Sequence, residues 1–185
     1  ILFRISFLLP SKLYLSLLFY VKLGYRIKFS SPKTFQEKIQ WLKLYDRNPL
    51  YHTMVDKYAV KQYVADIIGD EYLIPTLGVW DDVNQIDFDS LPSKFVLKTT
   101  HGGGSCGVCI CRDKVTLNIE NCKSKLQQSL KQNIYRYLRE WPYKNLPPKV
   151  IAEELIETSN GSDLIDYKFY CFNGEVKYCQ VIRDR

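Results

Sequence analysis

The chain has 185 residues, of which 46% are hydrophobic and 25% are charged. Nine glycines and eight prolines are too few for a collagen-like or low-complexity chain, and the apolar content excludes a disordered one. The formal net charge of +6 suits phosphates or an acidic membrane surface. It is smaller than a dedicated nucleic-acid-binding protein usually carries, so we expect no nucleic-acid partner.

The first 23 residues are strongly apolar, but charged residues interrupt them. The longest uncharged stretch, Leu13 to Val21, has nine residues, whereas a membrane-spanning helix needs about 20. We therefore predict an N-terminal segment, residues 1–30, with two short helices separated at Pro10. The apolar stripe of the second helix favours packing against the main domain; its residues are Leu13, Leu17, Leu18 and Val21. Peripheral contact with the inner membrane is the alternative, because basic residues flank the stripe at Lys12, Lys22, Arg26 and Lys28.

Residues 31–92 are predicted to form a lobe of helices and small strands. Thr34-Phe-Gln-Glu37 is a capping box, which opens a helix that ends near Asp46. Asp56 is predicted to cap a second helix ending at Gly69. Short β-rich segments follow at residues 72–75 and 78–80. The second helix is expected to turn five apolar residues inward: Val60, Tyr63, Val64, Ile67 and Ile68.

Residues 93–185 are predicted to form the nucleotide-binding region. A helix is expected from residue 117 to about 140, and Asn173-Gly174 is typical of a tight hairpin turn. Helices followed by hairpins indicate an α+β fold with an antiparallel sheet. The last strand runs to Arg185, so the C-terminal part is expected to be truncated. The predicted strands cover residues 95–98, 108–111, 150–152, 167–170 and 176–182.

A glycine-rich segment follows the strand that ends at Lys98. Successive glycines let backbone N–H groups converge on an anion, while Lys98 adds a charge and Ser105 a hydroxyl donor. The next element is a strand and no Gly-Lys-Ser/Thr follows, so this is not a Walker loop. We predict a mobile flap over a nucleotide. The alternative is a glycine-rich hairpin turn with an edge lysine.

Three other segments contain candidate functional residues. Lys57 follows the predicted helix cap, where a cation opposes the helix dipole unless an anion is bound nearby; a surface lysine is the alternative. The strand that ends in Glu153-Glu154 is suited to presenting backbone groups to adenine, or is a solvated acidic strand end. Asp166 and Lys168 share a strand face, as in a surface ion pair. The two isolated histidines support no catalytic triad, so the catalytic residues are unassigned.

The cysteines are candidates for a metal site or for a set of disulfides. A zinc site needs a second pair of ligands at a matching spacing, which Cys171 and Cys179 do not provide. No secretory leader with a cleavage site is visible, which favours a reduced, cytoplasmic setting. We predict that Cys109 and Cys111 are small apolar residues of a strand, and we assign no metal ligand.

Taken in order, these segments resemble the ATP-grasp superfamily, and more closely its TupA-like group, which is associated with teichuronopeptide synthesis in bacterial polysaccharide clusters. The resemblance covers most of the chain from about residue 30 onward. It implies an ATP-grasp fold that holds ATP between two α+β lobes. The segments that carry it are Thr34–Trp41, Asp56–Tyr58, Tyr72–Pro75, Leu91–Gly104 and Asp166–Gly174.

The resemblance also implies a set of nucleotide-binding residues. Lys57 and Lys98 would contact the phosphates, and the glycine loop would close over them. The main chain of residues 153–156 would bind adenine at a hinge, and Lys168 would lie near the nucleotide. The full set is Lys57, Lys98, His101, Gly102, Gly103, Gly104, Ser105, Glu153, Glu154, Leu155, Ile156 and Lys168.

The activity implied by the resemblance is that of an ATP- and Mg²⁺-dependent carboxylate–amine ligase, which forms an acyl-phosphate. It would act on a polysaccharide or peptide precursor in capsule, exopolysaccharide or teichuronopeptide synthesis. The family's Mg²⁺ ligands would fall beyond or close to Arg185, so the isolated chain is expected to be inactive. Two alternatives stay open: a glycosyltransferase-type enzyme and a non-catalytic, membrane-associated assembly module. Lys98 and the glycine loop disfavour the first, which would also carry an Asp-x-Asp metal motif that we expect this sequence to lack.

Overall fold

The fold is described from a computed structural model, which describes residues 8–158 and 164–183. The chain divides into two compact units, Ile1–Glu154 and Leu155–Arg185. Both contain antiparallel strands and the first also contains helices, which confirms the predicted α+β class. The predicted boundaries after residues 30 and 92 stay predictions. The first of the two helices predicted around Pro10 lies outside the described residues.

The first unit contains six described α-helices and a four-stranded sheet, with short 3₁₀ turns between them. The helices are α1 (Ser11–Leu23), α2 (Phe35–Tyr45), α3 (Leu50–Val55), α4 (Ala59–Ile68), α5 (Ile119–Leu130) and α6 (Ile134–Leu138). The strands are β1 (Thr76–Trp80), β2 (Phe95–Thr99), β3 (Val108–Cys111) and β4 (Val150–Glu154). The second unit contains β5 (Asp166–Phe172) and β6 (Glu175–Ile182).

The sheet of the first unit has the order β1-β4-β2-β3 and is antiparallel throughout. Strand β4 is therefore central, although it is the last of the four in the chain. Alternate residues of β2 and β4 face a core that α5 covers, because side chains of a strand alternate between its two faces. The fully buried members of this core are Phe95, Leu97, Cys111, Leu126, Val150 and Ala152.

Helix α1 packs against the first unit through one side. Tyr14 and Leu15 are buried together with Phe29. The Tyr14 hydroxyl donates to the Tyr137 carbonyl at 2.8 Å, and the Arg139 guanidinium lies 4.8 Å from the Tyr14 ring. The helix packs as predicted, but the predicted stripe is wrong for three of its four residues, because Leu13, Leu17 and Val21 are 48%, 39% and 66% exposed. The buried residues are Tyr14, Leu15 and Phe19 instead. No helix in the described parts of the chain has both the length and the apolar content that crossing a bilayer requires.

The predicted capping box of α2 is confirmed. The Glu37 N–H donates to Thr34 Oγ1 at 3.2 Å, while Glu37 Oε2 accepts from the N–H groups of Thr34 and Lys33 at 2.9 and 2.8 Å. These donors stabilise the carboxylate and lower the pKa of Glu37, with the Thr34 N–H contributing most. The sequence pattern therefore gave the correct start of this helix.

Asp56 caps α4 as predicted, and Gly69 ends it with a φ of 103°. The Asp56 carboxylate accepts from the N–H groups of Tyr58 and Ala59 at 2.8 and 2.9 Å. The prediction that Ile67 and Ile68 point inward is wrong, because they are 61% and 53% exposed. The last turn of α4 lies at the surface. Helix α3, which precedes Asp56, was not predicted.

Two other predicted segments differ from the structure. The helix expected from residue 117 to 140 is interrupted, because Asn133 begins α6 by accepting the Arg136 N–H at 2.9 Å. The segment 72–75 is not a strand: a 3₁₀ turn covers Asp70–Tyr72, and β1 begins only at Thr76, after Pro75. A local side-chain cap and a proline thus set these boundaries.

The second unit is a hairpin. Strands β5 and β6 pair from Asp166 opposite Ile182 to Phe172 opposite Glu175. Asn173 and Gly174 have φ values of 52° and 81°, which is the geometry of the predicted two-residue turn. The predicted Asp166–Lys168 ion pair is present at 3.3 Å, with both side chains 46% exposed.

Candidate functional site

A buried carboxylate joins two lysines at the centre of the sheet. Lys98 on β2 and Glu153 on β4 are diagonal neighbours, because Val96 pairs with Glu153 and Lys98 with Ile151. Their side chains form an ion pair, and Lys61 of α4 contacts the other carboxylate oxygen of Glu153 at 2.8 Å. The Glu153 side chain is only 4% exposed. Two ammonium groups therefore balance this carboxylate.

Lys57 connects the start of α4 to the chain just after β2. Its N–H donates to the Thr100 carbonyl at 3.0 Å. Its ammonium donates to the carbonyls of Thr99 at 3.2 Å, Thr100 at 3.4 Å and Gly102. Burial lowers the pKa of Lys57, and the positive charge of Lys98 lowers it further. An anion at this position would relieve both effects.

The glycine loop connects β2 to β3. Gly102 and Gly107 are closely packed: a Cβ on Gly102 would lie 2.5 Å from Thr99 Oγ1, and one on Gly107 would lie 2.2 Å from Ser129 Oγ. Those two hydroxyls are hydrogen-bonded to each other at 2.8 Å. By contrast, a Cβ on Gly103 or Gly104 would contact nothing within 4 Å. Gly103, Gly104 and Ser105 are exposed, so this part of the loop is open to a ligand.

His101 is 5% exposed and directed into the protein. Its Nε2 donates to the Gln132 carbonyl at 3.1 Å, and its buried Nδ1 has no hydrogen-bond partner. Burial lowers the pKa of His101, so the neutral ring is favoured. His101 is thus directed away from solvent, and its contact with a nucleotide stays a prediction.

The predicted hinge begins where β4 ends. The Glu154 N–H donates to the Pro75 carbonyl at 3.2 Å, so the sheet already uses this donor. The Glu154 side chain is exposed, and Leu155 and Ile156 follow the strand. Lys168 belongs to the hairpin of the second unit, where its side chain pairs with Asp166. The binding of adenine at this hinge and the position of Lys168 near the nucleotide therefore stay predictions.

Lys61 is a site residue that the sequence did not assign. It lies four residues after Lys57, on the same side of the helix start, and this spacing was the available signal. Besides Glu153, its ammonium contacts the Ile74 carbonyl and Thr76 Oγ1, the latter at 3.1 Å. A cavity of about 540 Å³ opens beside it, between α4 and residues 70–76.

Three thiols of the first unit lie in its core or pack against it. Cys111 and Cys122 are buried in the core, and Cys109 is half-buried against it, as expected for apolar strand and helix residues. A hydrogen bond with Cys122 lowers the pKa of Cys109. Within residues 8–158 and 164–183, no group of three or more His, Cys, Asp or Glu side chains is placed to hold a metal ion.

Comparison with protein families identifies a relationship that covers most of the chain. The model of the TupA-like ATPgrasp family matches residues 37–185, which include all twelve residues of the predicted nucleotide site. Neither the curated proteins nor the solved structures give a match.

Proposed function

Because the chain belongs to the TupA-like ATP-grasp family, we propose that it binds ATP and uses it to activate a carboxylate in the synthesis of a bacterial surface polysaccharide or a peptide attached to one. The observation that carries this proposal is the meeting of Lys57, Lys98 and an open glycine loop at one end of β2. Since ATP is the phosphate donor, a cytoplasmic position is part of the proposal.

The proposed phosphate-binding site combines charge with free backbone donors. Lys57 and Lys98 supply two ammonium groups, each linked to β2 or the chain that follows it. The exposed N–H groups at Gly103 and Gly104 supply hydrogen bonds without a side chain in the way. Gly102 and Gly107 anchor the loop against Thr99 and Ser129. The loop tip is thereby free to close over the phosphates while its base stays fixed.

ATP binding at this site requires an exchange of partners. Glu153 neutralises Lys98 and Lys61. A phosphate oxygen would compete with Glu153 for the Lys98 ammonium, while Lys61 at 2.8 Å would continue to balance the buried carboxylate. Glu153 is therefore a competitor of the phosphate for Lys98 in this proposal.

The adenine contact is proposed for the main chain of Leu155 and Ile156. These residues follow the strand, so their backbone groups are outside the β4 ladder, unlike the N–H of Glu154. Glu153 and Glu154 remain in the predicted set as the end of the hinge strand. A main-chain contact of this kind would distinguish adenine from other bases by the order of donor and acceptor.

The proposed reaction begins when a carboxylate oxygen of the substrate attacks the γ-phosphorus of ATP and ADP leaves. An amine or similar nucleophile then attacks the carbonyl carbon of the acyl-phosphate, and inorganic phosphate leaves. Lys57 and Lys98 stabilise the negative charge that develops on the phosphoryl oxygens. Closure of the loop excludes water, which would otherwise hydrolyse the acyl-phosphate. Bound Mg²⁺ would add charge neutralisation, but the described residues form no site for it, so no step is assigned to it.

A sugar-nucleotide transferase is the competing proposal, and one motif bears on it. The expectation that the sequence lacks an Asp-x-Asp motif is wrong, because Asp87-Phe88-Asp89 has the spacing that many such enzymes use to bind a metal. Here, however, the Asp87 carboxylate accepts from the N–H groups of Asp89 at 3.1 Å and Ser90 at 3.4 Å, and Phe88 is buried in the core. This carboxylate stabilises a turn, which favours the ATP-dependent reaction.

The proposal is tested by nucleotide-dependent thermal stabilisation of the full chain and of Lys98→Met. We expect ATP to raise the melting temperature of the parent chain and to leave that of Lys98→Met unchanged. Lys38→Met is the matched control, because Lys38 is an exposed lysine of α2 and its replacement removes the same charge. UTP and UDP-sugars are measured in parallel. Stabilisation by a UDP-sugar alone would favour the transferase and contradict the proposal, as would equal stabilisation of both variants by ATP.

A further inference from the structure

Helix α1 has a second apolar side, which faces outward. Its residues recur at intervals of four, three and one, so they form a single stripe along the helix. The stripe lies opposite the side that carries the buried Tyr14, Leu15 and Phe19. The stripe residues and their exposed fractions are Leu13 48%, Leu17 39%, Tyr20 52% and Val21 66%.

The inner side of α1 fixes the direction of this stripe. Tyr14 is fully buried, its hydroxyl donates to the Tyr137 carbonyl, and its ring lies against the Arg139 guanidinium. The helix ends in a left-handed Gly24, whose N–H donates to the Tyr20 carbonyl at 2.8 Å. The exposed stripe is thus part of an anchored element with a defined end.

The net charge of the chain is concentrated around this helix. The first 36 residues contain six basic residues and no acidic ones, whereas residues 37–185 contain 20 basic and 20 acidic residues. The whole formal charge of +6 therefore lies before the region that the family model matches. Five of the six basic residues are in the described part: Lys12, Lys22, Arg26, Lys28 and Lys33.

From these observations we propose that α1 and the segment after it dock on an anionic lipid bilayer. The docking surface consists of the stripe Leu13, Leu17, Tyr20 and Val21 with the basic residues Lys12, Lys22, Arg26 and Lys28. The apolar side chains enter the acyl boundary, and the basic side chains contact lipid phosphates. At about 20 Å, a 13-residue helix lies along the interface and does not cross it.

Charge favours a lipid partner over a protein. An anionic bilayer attracts every basic residue around the stripe, and no acidic residue in the first 36 opposes that attraction. The rest of the chain is neutral, so a second copy would bring the same positive segment against itself. The apolar stripe is also a single row on one convex helix, which suits insertion between lipid headgroups.

The test is co-sedimentation of the full chain with vesicles. Vesicles containing phosphatidylglycerol are compared with pure phosphatidylcholine vesicles, at low and high salt. We expect the chain to sediment with the anionic vesicles only, and to be released by salt, which screens the basic residues. Leu17→Ser/Val21→Ser is expected to lower the partition coefficient by roughly tenfold, because two inserted side chains are lost. The matched control is Ile110→Ser/Val115→Ser, which removes two exposed apolar residues elsewhere.

A second pair of variants tests the charges. Lys22→Gln/Arg26→Gln is expected to lower the partition coefficient roughly fivefold for each charge removed. Lys38→Gln/Lys131→Gln removes two exposed lysines outside the docking surface and is expected to have no effect. Unchanged melting temperatures show that the variants are folded. Equal sedimentation of parent and stripe variant would overturn the proposal, as would equal binding to neutral vesicles. Conversion of an oligomer into a monomer by the stripe substitutions would also overturn it, in favour of a second copy.

Discussion

Neither packing nor backbone conformation requires a glycine at position 103, in contrast to the glycines on either side of it. Gly102 is required by its contact with Thr99, and Gly104 has a φ of 62°, which disfavours other residues. Gly103 has neither constraint, since its added Cβ would contact nothing and its φ is not positive. Close approach of a ligand to the backbone is the reason that we propose for this glycine. Substitution of Gly103 therefore distinguishes the proposed function of the loop from the alternative of a simple hairpin turn.

A pair of alanine substitutions tests this distinction. Gly102→Ala is expected to lower the free energy of unfolding by about 1–3 kcal/mol, because the new methyl group overlaps Thr99 Oγ1. Gly103→Ala is expected to leave the stability unchanged or slightly raised. The same substitution should weaken ATP binding by about tenfold, the equivalent of one lost hydrogen bond. Denaturant unfolding and calorimetric titration measure the two effects, and unchanged ATP affinity in Gly103→Ala would contradict the role of the loop.

The lowered pKa of Lys57 predicts that ATP binding is coupled to proton uptake. Burial and the charge of Lys98 lower its pKa below 10.5 in the free chain, and the negative charge of bound ATP would raise it again. Between the lowered pKa and 10.5, free Lys57 is partly neutral, so binding is expected to take up protons, by at most one. ATP affinity should accordingly fall as the pH rises through this range.

Titration calorimetry in alkaline buffers of different ionisation enthalpy measures this uptake. The apparent binding enthalpy should vary with the buffer for the parent chain and should not vary for Lys57→Met. Lys38→Met serves as the control, because its ammonium is exposed and distant from the proposed phosphates in the sequence. The same buffer dependence in parent and Lys57→Met would show that another group takes up the proton.

At the scale of single elements, β4 carries the charge balance of the site. Glu153→Gln keeps the shape of the side chain but leaves Lys61 and Lys98 without their carboxylate. We expect a loss of about 1–3 kcal/mol in the free energy of unfolding, because these ammonium groups are largely buried. ATP affinity should rise, because Lys98 no longer needs to leave a carboxylate.

The two effects of Glu153→Gln have opposite signs, which makes the test specific. Denaturant unfolding gives the first and calorimetric titration the second. Glu154→Gln is the matched control, because Glu154 is the next residue on the strand and is exposed. It should change neither quantity appreciably. A fall in ATP affinity with Glu153→Gln would contradict the proposed exchange.

Local patterns predicted the elements whose boundaries are set by neighbouring residues. The capping box of α2, the Asp56 cap of α4 and the Asn173-Gly174 turn are confirmed, since their hydrogen bonds span only a few positions. The break between α5 and α6 was missed, because the apolar spacing continues through it. The exposure of Ile67 was missed as well. Periodicity identifies the apolar side of a helix, but only the tertiary structure shows how far that side is covered.

The site could be predicted only in part, for a related reason. The glycine loop and Lys98 are adjacent in sequence, and their chemistry was visible in one segment. The pairing of Lys98 with Glu153 depends on β4 entering the sheet between β1 and β2, more than 50 residues after β2. No local pattern encodes that order. The recruitment of Lys61 follows from the same long-range arrangement.

At the scale of the whole molecule, the residues proposed to bind the phosphates belong to one unit. Lys57, Lys98 and Gly103 all lie in Ile1–Glu154, together with the four-stranded sheet and its core. The second unit is a two-stranded hairpin with mostly exposed side chains, and such hairpins contribute little stability alone. The first unit is therefore expected to fold, and to bind phosphates, without it.

Truncation of the chain after Glu157 tests whether the first unit folds and binds phosphates without the second. The shortened chain is expected to unfold in one cooperative transition, with a melting temperature within about 4 °C of the full chain, because its core is intact. Tripolyphosphate, which lacks adenine and ribose, should stabilise both chains equally, since the proposed phosphate ligands are all retained. Circular dichroism melting with and without tripolyphosphate provides both measurements, and Lys98→Met in the shortened chain should abolish the stabilisation. If the shortened chain melts cooperatively but ignores tripolyphosphate, the phosphate-binding site must need residues after 157, and the assignment to the first unit would be wrong.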